Sequence, residues 1–171
     1  MSYFNQFGTI LYDPAGDGSA KLCTDIMSRV RIRASMKKEI VMLDTYAVKE
    51  NETPEIVADK HHGSPYYHWV VMLLNDISDV NHDWVKSTRQ MQKYLLSKYT
   101  QTQLTETHHY EISQTSGDTT TKIEVENSTY PSASIVTNYE YEIALNEEKR
   151  SIDLLRNEYL GFFTDEFENL I

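Results

Sequence analysis

Cysteine is almost missing from this sequence. Cys23 stands alone among 171 residues. No intrachain disulfide can form, so the fold is expected not to depend on an oxidising compartment. Long apolar runs are missing as well. The longest, Trp69 to Leu74, falls far short of the roughly 20 residues of a membrane span. Positive charge is scarce: 16 Lys and Arg face 26 Asp and Glu, for a net charge of −10. Such a surface repels phosphate backbones and anionic lipid, which argues against nucleic acid and membrane as partners. The opening Met1-Ser2-Tyr3-Phe4-Asn5-Gln6 has neither a basic nor an apolar region of the kind found in secretory signals. Synthesis and folding in a cytoplasm are therefore expected.

The signatures of chemistry are also lacking. Cys23 has no histidine nearby in sequence, and there is no Cys-x-x-Cys, no Gly-x-Ser-x-Gly elbow and no glycine-rich phosphate loop. Carboxylates are abundant, so chance pairs will exist. No apolar pocket is indicated that would set one pKa above another. His61, His62 and His68 fall near one helix turn, and His108 and His109 are adjacent. Neighbouring histidines on a helix point about 100° apart rather than at one ion. They read as helix-end and packing residues. No catalytic, cofactor-binding or metal-binding residue is assigned, no cofactor or small-molecule substrate is expected, and the chain reads as a non-enzyme.

What is present suits a globular assembly protein. Apolar residues make up 40% and charged residues 25%, enough for a core. Tyrosine occurs 12 times, and its apolar ring with one polar tip is enriched at interfaces. Residues 1–20 read as irregular, with a cluster of turn formers from Asp13 to Ser19. Thr24 or Asp25 is placed to cap a short helix carrying Ile26, Met27 and Val30. Arg29, Arg31 and Arg33 make a local basic spot.

Ile40 to Lys49 is dominated by β-branched and aromatic residues and reads as a strand. A turn at Glu50-Asn51-Glu52 ends it. Thr53 then serves as N-cap, Pro54 as the first helical residue, and Gly63 as the left-handed stop. Ser64-Pro65 restarts the same device. The second helix carries Trp69, Val70, Leu73 and Leu74 on one apolar face, and Asn75 takes the left-handed stop. Ser87 and Gln90 form a capping box for a helix burying Met91, Tyr94, Leu95 and Tyr99. Residues 100–107 read as a linker. Tyr110 to Gln114 and Thr121 to Glu126 form a hairpin, and Tyr130-Pro131-Ser132 breaks the chain. A helix near Tyr139 to Lys149, an apolar run from Ile152 to Leu155, and a final helix capped by Asn157 and ending near Ile171 complete the reading.

Strand, helix, tight turn, helix, then Asn75-Asp76 is the βααβ order of a LysM domain, and Tyr46 to Asp76 resembles one. The wider series is more specific. Pro54-Glu55, Ala58, Gly63, Pro65, Tyr67-His68-Trp69-Val70, Asn75-Asp76 and Asp83-Trp84 occur in order. They continue into Lys98-Tyr99, His108-His109-Tyr110-Glu111, Asn146-Glu147, Lys149-Arg150, Ile152 and Leu154-Leu155. Together they resemble the baseplate wedge proteins of T4-like contractile-tailed phages that carry a LysM-like domain. The resemblance implies an α+β fold: a LysM-like βααβ core with an added N-terminal segment, a β-hairpin and C-terminal helices. It places an N-terminal extension at 1–39, the LysM-like domain and following helix at 40–99, a linker and hairpin at 100–136, and a C-terminal helical region at 137–171.

The resemblance further implies a structural role in the virion tail baseplate, assembled in the host cytoplasm. The partners would be other wedge proteins and neighbouring wedges. The alternative is a module binding peptidoglycan or N-acetylglucosamine chains, as LysM domains commonly do. The matching groove positions would be Asn51, Glu52, Thr53, Asn75, Asp76 and Ile77. Asn51-Glu52 replaces the small Gly-Asp of the usual turn, which enlarges a wall that must admit a sugar. Protein contact is therefore ranked first.

Two features are candidate partner contacts. Trp84 follows Asp83 in a loop, as lid or anchor. Leu160, Phe163, Phe167, Leu170 and Ile171 form one stripe of the last helix. That stripe either seats in a neighbour's groove or closes over the chain's own core.

Overall fold

The computed structural model describes residues 3–28, 32, 40–126, 130 and 132–170. Val30, Pro131, Ile171 and the arginines 29, 31 and 33 lie outside the described residues. After a 3-10 turn at Tyr3–Gln6, the chain runs through β1 (Thr9–Tyr12), β2 (Lys21–Thr24), a 3-10 turn at Ile40–Met42 and β3 (Leu43–Ala47). Then come α1 (Pro54–His62), a 3-10 turn at Pro65–Tyr67, α2 (His68–Leu74), α3 (Val80–Asp83), α4 (Thr88–Lys98) and α5 (Gln101–Leu104). β4 (Thr107–Ser116), β5 (Thr119–Val125), β6 (Ser134–Thr137), α6 (Asn138–Glu148), β7 (Ser151–Leu155) and α7 (Asn157–Leu170) follow. The fold is α+β, as expected. Met1–Trp84 with Ser151–Ile171 forms one compact unit and Val85–Arg150 a second. The division differs from the four sequence-based segments because the second unit is inserted within the first.

In the first unit, β3 and β7 pair antiparallel from Leu43↔Leu155 to Ala47↔Ser151. The order β3–α1–α2–β7 is thus strand, helix, helix, strand. Its second strand comes from the far side of the insertion, not from within the 40–99 segment assigned to the LysM-like domain. Residues 80–83 are helical. The local punctuation explains the helices. Pro54 opens α1, and Gly63 closes it at φ 73°. Ser64 caps the next turn with Pro65 behind it. One stop differs: Asn75 has φ −98°, and Asp76 takes the left-handed conformation at φ 54°. Asn75 stays out of it because its amide bonds backbone groups on two elements.

The first unit's main core joins Phe7, Trp69, Val70, Leu74, Leu155 and Phe167, with Leu73, Leu160 and Phe163 packed against it. Val48, Val57, Ala58, Val71 and Leu154 are also buried. Each large side chain so buried contributes roughly 1.5–3 kcal/mol. Residues 3–20 are more regular than expected. β1 and β2 form a hairpin with register Thr9↔Thr24 to Tyr12↔Lys21. The turn formers between them are held by Asp13, whose carboxylate accepts from the Gly16 and Gly18 amides at 2.8 Å each. The helix expected after Thr24 is not formed over the described residues. Thr24 ends β2, and Ile26 and Met27 are exposed in a turn.

In the second unit, three helices share one opening grammar. Ser87 with Gln90, Thr100 with Gln103, and Thr137 with Glu140 each complete a reciprocal capping box. The second of these converts the expected linker at 100–107 into α5 and the start of β4. The sheet runs β5-β4-β6, and Gly117 at φ 60° turns the hairpin. Met91 and Leu95 are buried, while Tyr94 and Tyr99 are half-buried. Asn146 fixes the unit's first residues: its side chain accepts from the Lys86 amide at 2.8 Å and donates to the Lys86 carbonyl at 3.0 Å.

Candidate interaction surfaces

The six groove positions divide by what their side chains already do. Glu52 is buried, not a groove wall. Its carboxylate accepts from Lys60 Nζ at 2.6 Å, the Lys49 amide at 2.8 Å and the Tyr46 hydroxyl at 2.9 Å. Burial opposes its ionisation, but these donors outweigh burial and hold its pKa below the ordinary range. Asn51 reaches φ 63°, which asparagine tolerates better than most residues. Asn75 bridges α2 to β7: Nδ2 donates to the Val71 and Asp153 carbonyls at 2.8 Å each, and Oδ1 accepts from the Asp153 amide at 2.9 Å. Asn51, Thr53 and Asp76 are exposed, and Ile77 is half-buried. Two of the six candidate contacts are therefore committed to internal bonding.

Trp84 is not an exposed lid or anchor. It is 5% exposed, and its indole N–H donates to the Glu52 carbonyl at 2.8 Å. The segment leaving α2 is thereby tied to the β3–α1 turn. The stripe of α7 is likewise spent at home. Phe167 lies 4.5 Å from Trp69, ring centre to ring centre, and Phe163 lies 6.0 Å from it. Tyr3 and Phe7 also pack against Phe167. Leu160 is half-buried against the same core. Of the four described stripe residues, Leu170 remains exposed, at 65%.

The histidines contact protein groups near in sequence and far from it. His61 Nε2 donates to the Leu155 carbonyl at 3.1 Å, and His62 Nδ1 meets Asn157 Oδ1 at 2.8 Å. His68 bonds the Pro65 carbonyl. His108 stacks on Tyr141 at 3.8 Å, and His109 contacts Glu111 at 3.1 Å. Among the described residues, no three His, Cys, Asp or Glu side chains are grouped to hold a metal. No described helix is long and apolar enough to cross a membrane.

The second unit carries one further buried charge that sequence reading missed. Glu142 lies in α6 and receives the Lys98 ammonium and the Tyr99 hydroxyl, the latter at 3.0 Å. Burial pushes its pKa up, and these donors more than reverse that. The signal in sequence was faint. Lys98-Tyr99 stood out, but nothing local pointed to a partner 44 residues away.

Residues 22–133 match the family model described as base plate wedge protein 53. The chain belongs to that family. Its members are phage baseplate wedge proteins, so the chain has a structural role in the tail baseplate. The match covers β3, α1, α2 and most of the inserted unit, and ends before β7. A search of individually curated proteins found no match.

Proposed function

We propose that this wedge protein joins neighbouring wedge proteins in the baseplate of a contractile phage tail, using a LysM-like β3–α1–α2–β7 unit as a protein-binding module. It is made late in infection and assembles in the host cytoplasm. The wedge-family match combined with the strand–helix–helix–strand order carries this reading. The reading also draws on how the groove residues are used. Glu52 is buried under three donors, Asn75 is bonded to β7, and Trp84 is bonded to the Glu52 carbonyl. A sugar groove needs polar side chains left free to meet hydroxyls, whereas a packing module does not. No reaction is assigned to the chain.

Calorimetry with N-acetylglucosamine oligomers separates the two uses. No saturable heat is expected up to millimolar sugar. Micromolar binding abolished by Thr53→Trp would transfer the protein to the cell-wall class. In parallel, wedges reconstituted from purified components without this chain are expected to remain separate. Wedges that close into a ring equally well in its absence would remove the joining role.

A further inference from the structure

Helix α7 has two faces, and the core explains only one of them. Phe163 and Phe167 face Trp69. Phe162, their immediate neighbour, is 78% exposed. Glu158, Asp165 and Glu166 lie one turn away on the same outer side, all exposed. The helix spans 14 residues and contains no Lys, Arg or His.

Helix stability accounts for Glu158, which lies in the favourable first turn, but not for the rest of that charge. Asp165, Glu166 and Glu168 sit in the second half, where the helix dipole disfavours negative charge. Asp165 and Glu168 also repel each other at i,i+3. Glu168 has a local use, accepting from Gln6 at 3.4 Å. Glu158, Asp165 and Glu166 surround an aromatic ring that pays the cost of exposure to water.

We infer that the outer face of α7 docks Phe162 into an apolar socket rimmed by lysine and arginine on another wedge protein. This rests on the wedge reading above. Charge complementarity selects the occupant: a basic rim would offset three carboxylates that nothing in α7 neutralises. A second copy of this chain would present like charge to like charge on this face and is disfavoured. An aromatic anchor inside a polar rim is the usual layout of a strong contact.

The test uses phage carrying a knockout of this gene, complemented in trans with full-length variants, and the protein content of purified tails. Wild type should enter the tails. Phe162→Ser should melt like wild type by circular dichroism yet fall at least tenfold in tail content, with Phe162→Leu largely restoring it. Combined Glu158→Lys, Asp165→Lys and Glu166→Lys should fall as far. The matching Gln and Asn variant should fall less, and bind its neighbours with weaker salt dependence.

Absence of wild type from the tails would overturn the wedge reading itself. Wild-type content with Phe162→Ser would overturn the docking face alone. Full content with the triple lysine variant would overturn the basic rim. A wild-type dimer in sedimentation that Phe162→Ser dissolves would assign the face to a second copy instead.

Discussion

Trp69 shows how much one side chain can be asked to do. It is 4% exposed and touches Tyr3, Phe163 and Phe167. Its indole nitrogen is buried with no hydrogen-bond partner among the described residues. Trp69→Ala removes the packing and should cost about 3–5 kcal/mol. Trp69→Phe keeps an aromatic ring and removes the unpaired donor, so it should cost under about 1.5 kcal/mol. Urea unfolding of the two variants measures the difference. Glu52 and Glu142 make a pH prediction. Both have depressed pKa values when folded. Their contribution is therefore present above the ordinary glutamate value of 4.5 and is lost as pH falls through the lower folded values. Denaturation followed from pH 7 downward should show stability falling below about 4.5, and a double Gln variant should show a shallower acid limb. An unchanged acid limb would mean other carboxylates govern it. Thr53, Pro54 and Gly63 were readable from their neighbours. Glu52 was not, because its donors Tyr46, Lys49 and Lys60 converge only once the turn has formed.

At the scale of elements, local grammar was legible wherever it was complete. The Thr53-Pro54 start and the Gly63 stop of α1 could be read because cap, proline and glycine act within one turn. The capping box at Ser87 was read from the same kind of signal. The box at Thr100 carried equal information but lay in polar surroundings, where composition suggested a linker, whereas the box at Thr137 opens the helix expected near Tyr139. The α7 stripe was legible as a stripe, while its destination was not. Periodicity says that a face will be buried but not against what. The structure seats Leu160, Phe163 and Phe167 on the chain's own core. Deleting residues 157–171 should therefore strip the cover from Trp69. At roughly 1.5–3 kcal/mol per buried side chain, that loss is a large fraction of a typical 5–15 kcal/mol stability. The truncated chain should melt at least 10 °C lower or lose its cooperative transition. A truncated protein with an unchanged melt would place the stripe in a partner's groove after all.

At the scale of the whole molecule, the strand–helix–helix–strand unit was expected to close within the segment 40–99. It closes instead across the insertion, through Ser151–Leu155. Sequence proximity favoured the wrong strand because Ile152 to Leu155 looks like any short apolar run until it has a partner. The physical cost of the detour is small, since closing a loop grows by only about 0.6 kcal/mol for each doubling of its length. Replacing residues 85–150 by a short Gly-Ser linker should therefore leave the first unit folded, with Trp69 fluorescence still buried. An unfolded product would show that the two units stabilise each other. The α+β class and the wedge resemblance were both legible, because spaced residues such as Pro54, Gly63, Trp69 and Trp84 survive as a pattern without any knowledge of their contacts. The most direct measurement is chemical cross-linking and mass spectrometry of intact tails from the phage that encodes this chain. Cross-links from residues 40–84 to neighbouring wedge proteins, with the chain in fixed ratio to the wedges, are the expected result. Tails that lack the chain, or hold it with no cross-link to any wedge protein, would contradict the assignment.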